Sequence, residues 1–213
     1  MRGWLHSRLG NEAVQTVGEP KAERSVHPSL GFNTLFHQFR GNRKYKILDL
    51  GPAVGDNVDF FSQFRCRIFI EDLYRTLNSF EYLTPDDGFS YAAVFEYLLP
   101  YLKNTRFDFI LAWDVFNYLD RDEFRHLILH LSQFSRKGTV LFSLISTLKH
   151  IPETPYRFKI IDSENLLYNC SSMNLKPGPR YEPSDLAELM PNFRICNSFL
   201  LRNGFKEYLF LCD

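Results

Sequence analysis

Apolar positions along this chain follow two spacings, one helical and one extended. In PSLGFNTLFHQF (28–39), Leu30, Phe32, Leu35, Phe36 and Phe39 fall on roughly one helical face, and Ser29 is placed to cap it. KYKILDL (44–50) reads as a strand that Gly51 ends, and VGDNVDFFSQF (54–64) reads as the helix that follows. CRIFI (66–70) predicts a second strand, closed by Glu71 and Asp72. Two helical stretches follow, about 73–82 and 90–103, split by TPDDG. FDFILAW (107–113) predicts a third strand, RDEFRHLILHLSQF (121–134) an amphipathic helix, and TVLFSLIS after Gly138 a fourth strand.

Strands alternating with helices imply a parallel sheet with helices on both faces. The C-terminal part differs. FRICNSFLL and FKEYLFLCD are two strand-like runs around RNG, and Asn203-Gly204 is a hairpin signal. The expectation is an α/β, Rossmann-like, doubly wound sheet in three αβα layers, mostly parallel and ending in an antiparallel hairpin. Residues 1–26 are polar without a sustained period and predict a mobile arm; residues 27–213 form the domain. Residues 150–185 carry five prolines and read as an irregular insertion above the scaffold.

Composition narrows the functional classes. Lys+Arg and Asp+Glu are 25 each, so no whole-chain charge pulls toward nucleic acid or an anionic membrane. The one basic cluster, Arg40, Arg43, Lys44 and Lys46, reads as solvated surface. Nucleic acid is therefore not an expected partner; a small-molecule or protein acceptor is, and a protein partner fits the aromatic excess of 16%. No apolar run approaches the ~18 residues of a membrane span, and MRGWLHSRLGNEAVQ lacks a secretory apolar core. Cys66, Cys170, Cys196 and Cys212 show no metal spacing, and Cys66 and Cys196 read as core residues. A soluble protein in a reducing cytoplasm is expected. His126 and His130 lie one helical turn apart without a third ligand and read as a solvated face, so no metal is expected.

Open α/β sheets bind ligands beyond the carboxyl ends of their strands. Those ends hold Asp49–Asn57, Glu71-Asp72, Trp113–Tyr118 and Ser143–Thr147. Glu71 comes 20 residues after Gly51, about the interval at which an acid meets a ribose diol. A carboxylate suits a diol because it accepts two hydrogen bonds; Asp72 takes the part if the strand runs one residue longer. Aligned from Gly51, the second and third glycines of a dinucleotide fingerprint are Ala53 and Asp56. A carboxylate at Asp56 repels a pyrophosphate, which argues against NAD, NADP and FAD. A phosphate-free cofactor with a cationic end, such as S-adenosylmethionine, tolerates it.

ILDLGPAVG, IED, FDFILAWD and the RNG hairpin resemble the class I S-adenosylmethionine-dependent methyltransferases over roughly residues 44–213. The DLGPA form of the turn is similar to a bacterial methyltransferase-like subgroup. That resemblance implies a seven-stranded sheet with its last strand antiparallel. It implies that Gly51, Ala53 and Gly55, in a turn stiffened by Pro52 and followed by Asn57, pass under the methionine and ribose. It implies that Asp49 orients the ammonium, that Glu71 or Asp72 holds the ribose, and that Trp113 and Asp114 flank the sulfonium. The strand expected between Asp72 and Phe107 is not evident, and Asp86 and Asp87 are stand-ins for its adenine-binding residue or plain turn residues.

Methyl transfer needs positioned reactants and a base for the acceptor proton. Asp114, directly after a strand, is a candidate base or a helix cap; His150 is a second candidate. Asn117 and Tyr118 one turn on, and Tyr156, Arg157, Arg180 and Tyr181 in the insertion, are candidate acceptor contacts, with an arginine reading an anionic group. The alternative is a methyltransferase-like binding or scaffold subunit without catalysis.

Overall fold

The computed structural model describes residues 24–39, 43–79 and 90–213. Its centre is a sheet of β2 (Tyr45–Asp49), β3 (Cys66–Ile70), β4 (Phe109–Trp113), β5 (Val140–Ser146), β10 (Phe193–Leu200) and β11 (Phe205–Cys212). The strand order is β10-β11-β5-β4-β2-β3. The four strands β3, β2, β4 and β5 are parallel, with Ile47 opposite both Ile68 and Phe109. Every residue of β4 and β5 is buried, as parallel strands covered on both faces require. Strand β11 runs antiparallel to β5 and to β10, so the expected terminal hairpin closes one side of the sheet. Gly204 takes φ +82 in its turn, where a Cβ would come within 2.6 Å of Leu148.

One face carries α3 (Leu73–Ser79), α4 (Tyr91–Leu98), α5 (Arg121–Gln133) and α6 (Pro183–Leu189) over Leu48, Ile110, Leu141 and Phe210. Helix α5 starts in a capping box in which Asp120 and Glu123 bind each other's backbone N–H. His130, expected on a solvated face, is buried instead; its Nε2 lies 3.1 Å from Leu99 O, anchoring the end of α4. The opposite face carries α1 (Leu30–Phe36) and α2 (Gly55–Ser62) over Ile47, Leu111 and Phe142.

A small antiparallel sheet completes that second face: β1 (Arg24–Pro28), β8 (Asn165–Asn169) and β7 (Arg157–Ile160), in the order β1-β8-β7. Residues 24–26, read from sequence as part of the arm, are thus paired strand; residues 1–23 lie outside the described residues. The insertion is also more regular than its prolines suggested. It holds β7 and β8, plus a two-stranded pair of β6 (His150–Pro152) and β9 (Leu175–Pro177). Phe158, Ile160, Leu166 and Tyr168 alternate inward, and Asp162 Oδ1 closes the β7–β8 turn by accepting from the N–H groups of Glu164 and Asn165.

The N-terminal segment is locked to the last strand by Glu207, which is fully buried on β11. Its carboxylate accepts from the Ser29 hydroxyl and, at 2.7 Å, from Gly31 N–H. Ser29 in turn caps α1 by accepting from Phe32 N–H, as its position in the sequence predicts. All four cysteines are free, with Cys66 and Cys196 half-buried against the second core. Among the described residues no helix is long and apolar enough to cross a membrane, and no group of side chains is arranged for a metal ion.

Candidate functional site

Parallel strands end at one edge of the sheet, and there three of them run into acids. Asp49 is the last residue of β2, Glu71 follows β3, and Asp114 follows β4. Glu71 N–H donates to Asp49 O at 2.8 Å, so the two acids stand on adjoining strand ends beside Gly51. Asp49 is 2% exposed, and burial pushes its carboxyl up to about 7 although Gly51 and Trp113 both donate to it. Glu71 is half-buried; burial raises it too, against a long hydrogen bond from Tyr101.

Trp113 dominates this end. Its Nε1–H donates to Asp49 Oδ1 at 2.6 Å, and a Cβ on Gly51 would lie 2.7 Å from its Cδ1. The indole therefore rests directly on the glycine turn and uses the acid expected to face a ligand. It stacks on Phe158 of β7 at 5.3 Å and 6°, and it is 3% exposed. The backbone pays attention to this placement: Trp113 has φ +48, in the left-handed region, at a register shift between β4 and β5. A bulky residue held there is strained, and such strain gathers where a side chain is aimed for a purpose.

Asp114 is buried beside it. Its Oδ2 accepts from Tyr156 N–H at 3.0 Å, while Oδ1 has no hydrogen-bond partner among the described residues. Burial pushes its carboxyl up to about 7. Burial that favours the protonated form of a carboxyl beside a cleft makes Asp114 a candidate for proton exchange.

A cleft of about 200 Å³ opens here, walled by Gly51, Pro52, Asp72, Trp113, Asp114, Tyr156 and Arg157 among the residues expected from sequence; Asp49 and Glu71, also expected, do not line it. It also gathers Arg75, Thr154 and Ser171, which sequence reasoning missed. Arg75 was recoverable, since it lies one helical turn beyond the acid pair in EDLYR. Tyr74 beside it ties α3 to the insertion by donating to Glu153 O.

Other expected contacts serve the frame. Asn57 does not face the cleft: its amide donates to Phe158 O at 2.9 Å and accepts from Ile160 N–H at 2.7 Å, pinning β7 to α2. Asn117 is buried and bridges Asp114 O, Leu144 O and Ser146 N–H. The Tyr118 hydroxyl donates to Thr154 O, and the Tyr181 hydroxyl to Leu119 O, so both are turned to loop carbonyls. Ala53 and Gly55 are exposed and do not wall the cleft. His150 is exposed on β6, and Arg180 is exposed with φ +51; neither reaches the cleft. Asp86 and Asp87 lie outside the described residues.

No family model matches the chain, and no curated protein matches it. Among solved structures it is similar to an S-adenosylmethionine-dependent methyltransferase from Clostridium acetobutylicum, at 14% identity and TM-score 0.44 over 79% of this chain and 83% of that one. It is similar to the glycopeptide N-methyltransferase MtfA complexed with S-adenosyl-L-methionine, at 10% identity and TM-score 0.47 over 86% and 94%. It is also similar to a TehB-like SAM-dependent methyltransferase from Corynebacterium glutamicum, at 15% identity and TM-score 0.47 over 86% and 88%. The Rossmann-like fold itself is read from strand order and register.

Proposed function

We propose that this chain binds S-adenosylmethionine at the carboxyl ends of β2 and β3 and transfers its methyl group to an anionic small-molecule or protein acceptor. The observation that carries the reading is the pair of acids, Asp49 and Glu71, on adjoining parallel strand ends around Gly51. The donor set fits the cofactor in kind: an acid for the ammonium, an acid for the ribose diol, and no cradle for a pyrophosphate. Binding would require Trp113 to leave Gly51, because about 200 Å³ is below the roughly 300–1,000 Å³ usual for such ligands.

The bound cofactor would supply a methyl group activated by its sulfonium. Asp49, Glu71 and Asp72 would hold the cofactor. Arg157 and Arg75 would orient the anionic acceptor, Asp114 would accept its proton at Oδ1, and Phe158 and Tyr156 would exclude water.

A second reading, a scaffold that keeps the sheet without the chemistry, is favoured by one observation: the Trp113 indole already satisfies Asp49. Titration calorimetry with S-adenosylhomocysteine separates the two. Micromolar binding is expected, weakened about tenfold or more by Glu71→Ala. Trp113→Phe, which removes the N–H that holds Asp49, should tighten it several-fold. No heat with any of the three proteins sinks the cofactor reading and leaves the scaffold.

A further inference from the structure

The basic cluster around the start of β2 acquires partners in the fold. Strands β2 and β3 are parallel, with Lys46 opposite Arg67. Lys44 and Arg65 immediately precede these two strands, and Tyr45 N–H donates to Arg65 O at 2.9 Å, which brings the strand starts together. Arg106, just before β4, and Arg136, just before β5, join them. These six cations wall one groove of about 670 Å³ at the amino ends of the strands.

Asp108, the one carboxylate among the described residues that line the groove, is already used. Arg43 and Arg136 both pair with it, and Lys46 N–H donates to it at 2.9 Å. Among the described residues, Lys44, Lys46, Arg65, Arg67 and Arg106 have no acid partner. Like charges set opposite each other on neighbouring strands are destabilising. The chain tolerates them here although its acids and bases balance overall.

A second cleft of about 310 Å³ adjoins the groove and shares Tyr45, Phe64 and Arg65 with it. Its walls include Phe36, Phe39 and Phe64, three half-buried rings with centroids 5.3–5.8 Å apart. Clustered cations beside aromatic faces answer two features of one ligand class: a phosphate backbone and bases that stack. An acidic peptide would use the cations and leave the rings idle.

We propose that this groove binds single-stranded nucleic acid, its phosphates along Lys44, Lys46, Arg65 and Arg67 and a base against Phe64. The site lies at the opposite end of the strands from the cleft at Asp49. Five residues of β2 separate them, roughly 17 Å. It would recruit a strand without presenting it to Asp114, and it stands whether or not the cofactor reading holds.

The test is fluorescence anisotropy with a labelled, mixed-sequence single-stranded RNA of about 15 nucleotides. Wild type should bind in the micromolar range at low salt, with affinity falling steeply as salt rises. Lys46→Gln with Arg67→Gln should weaken binding roughly tenfold and flatten the log–log salt slope by about 1.4. Phe64→Leu should weaken it several-fold with the slope unchanged. Lys44→Gln with Arg65→Gln is the second variant should the first misfold by circular dichroism. Binding weaker than about 100 µM at low salt, or charge variants equal to wild type, overturns the proposal. So does polyglutamate that displaces the RNA while Phe64→Leu has no effect, which assigns the groove to an acidic protein segment.

Discussion

At the carboxyl ends of β2 and β4, Asp49 and Asp114 are buried, pushed up to about 7, and bound to neighbouring N–H groups. At the amino ends of β2, β3 and β4, Lys46, Arg67 and Arg106 have no acid partner among the described residues and wall a far larger groove. One end is closed and carries desolvated acids; the other is open and carries solvated bases. A formal charge of zero is thus a balance between two unlike surfaces. Whole-chain charge speaks to solubility and long-range attraction, and what a particular surface attracts is set by how the fold distributes that charge.

The contrast is open to attack by mutation. The largest effect is expected at the closed end. Asn57→Ala leaves Phe158 O and Ile160 N–H of β7 without their partner, so unfolding free energy should fall by about 2–4 kcal/mol in denaturant titrations. Equal stability of Asn57→Ala and wild type would mean that β7 is held by its apolar face alone.

Next comes pH. Burial pushes the Asp49 and Asp114 carboxyls from the ordinary 3.8 up to about 7, so the native state binds more protons between those values. Stability should be fully present below about pH 4 as far as these groups are concerned, decline as pH rises through 7, and level off above. Asp114→Asn should remove part of that decline, on the order of 1–3 kcal/mol, read as a smaller difference between thermal midpoints at pH 5 and pH 8.

Gly51→Ala should cost about 1–2 kcal/mol, because its Cβ meets Trp113 at 2.7 Å. Tryptophan fluorescence should shift in the same variant as the indole leaves Asp49. The smallest effect belongs to the open end. Moderate salt should raise stability by about 0.5 kcal/mol or less by screening the unpaired cations, and Lys46→Gln with Arg67→Gln should abolish that gain. A salt response unchanged in the double variant would show that the repulsion lies elsewhere.

Much of the frame was legible because its signals are local. CRIFI forms β3 over the residues expected, Ser29 caps α1, and Asn203-Gly204 turns the final hairpin. The acids at Asp49, Glu71 and Asp114 were legible too, since a strand end fixes where its last residue stands. The insertion misled because five prolines outweighed a period-two pattern in RFKI and NLLYN. Trp113 over Gly51 and Asn57 on β7 were out of reach, as both join segments tens of residues apart. The same is true of the basic groove, whose residues at 44–46, 65–67, 106 and 136 meet only through strand register.

The Glu207 anchor has a bearing on how the chain is made. The Ser29 contact spans 178 residues, and ribosomes add roughly 5–20 residues per second. Residues 24–36 therefore wait roughly ten to forty seconds for the strand that locks them. Through that interval Phe32 and Leu35 lack the sheet they will cover, a nascent surface for chaperones to shield. Synthesis of β11 thus completes this sheet and covers a sticky segment that emerged long before it. A chain stopped short of β11 would keep that segment on display, marking it for quality control.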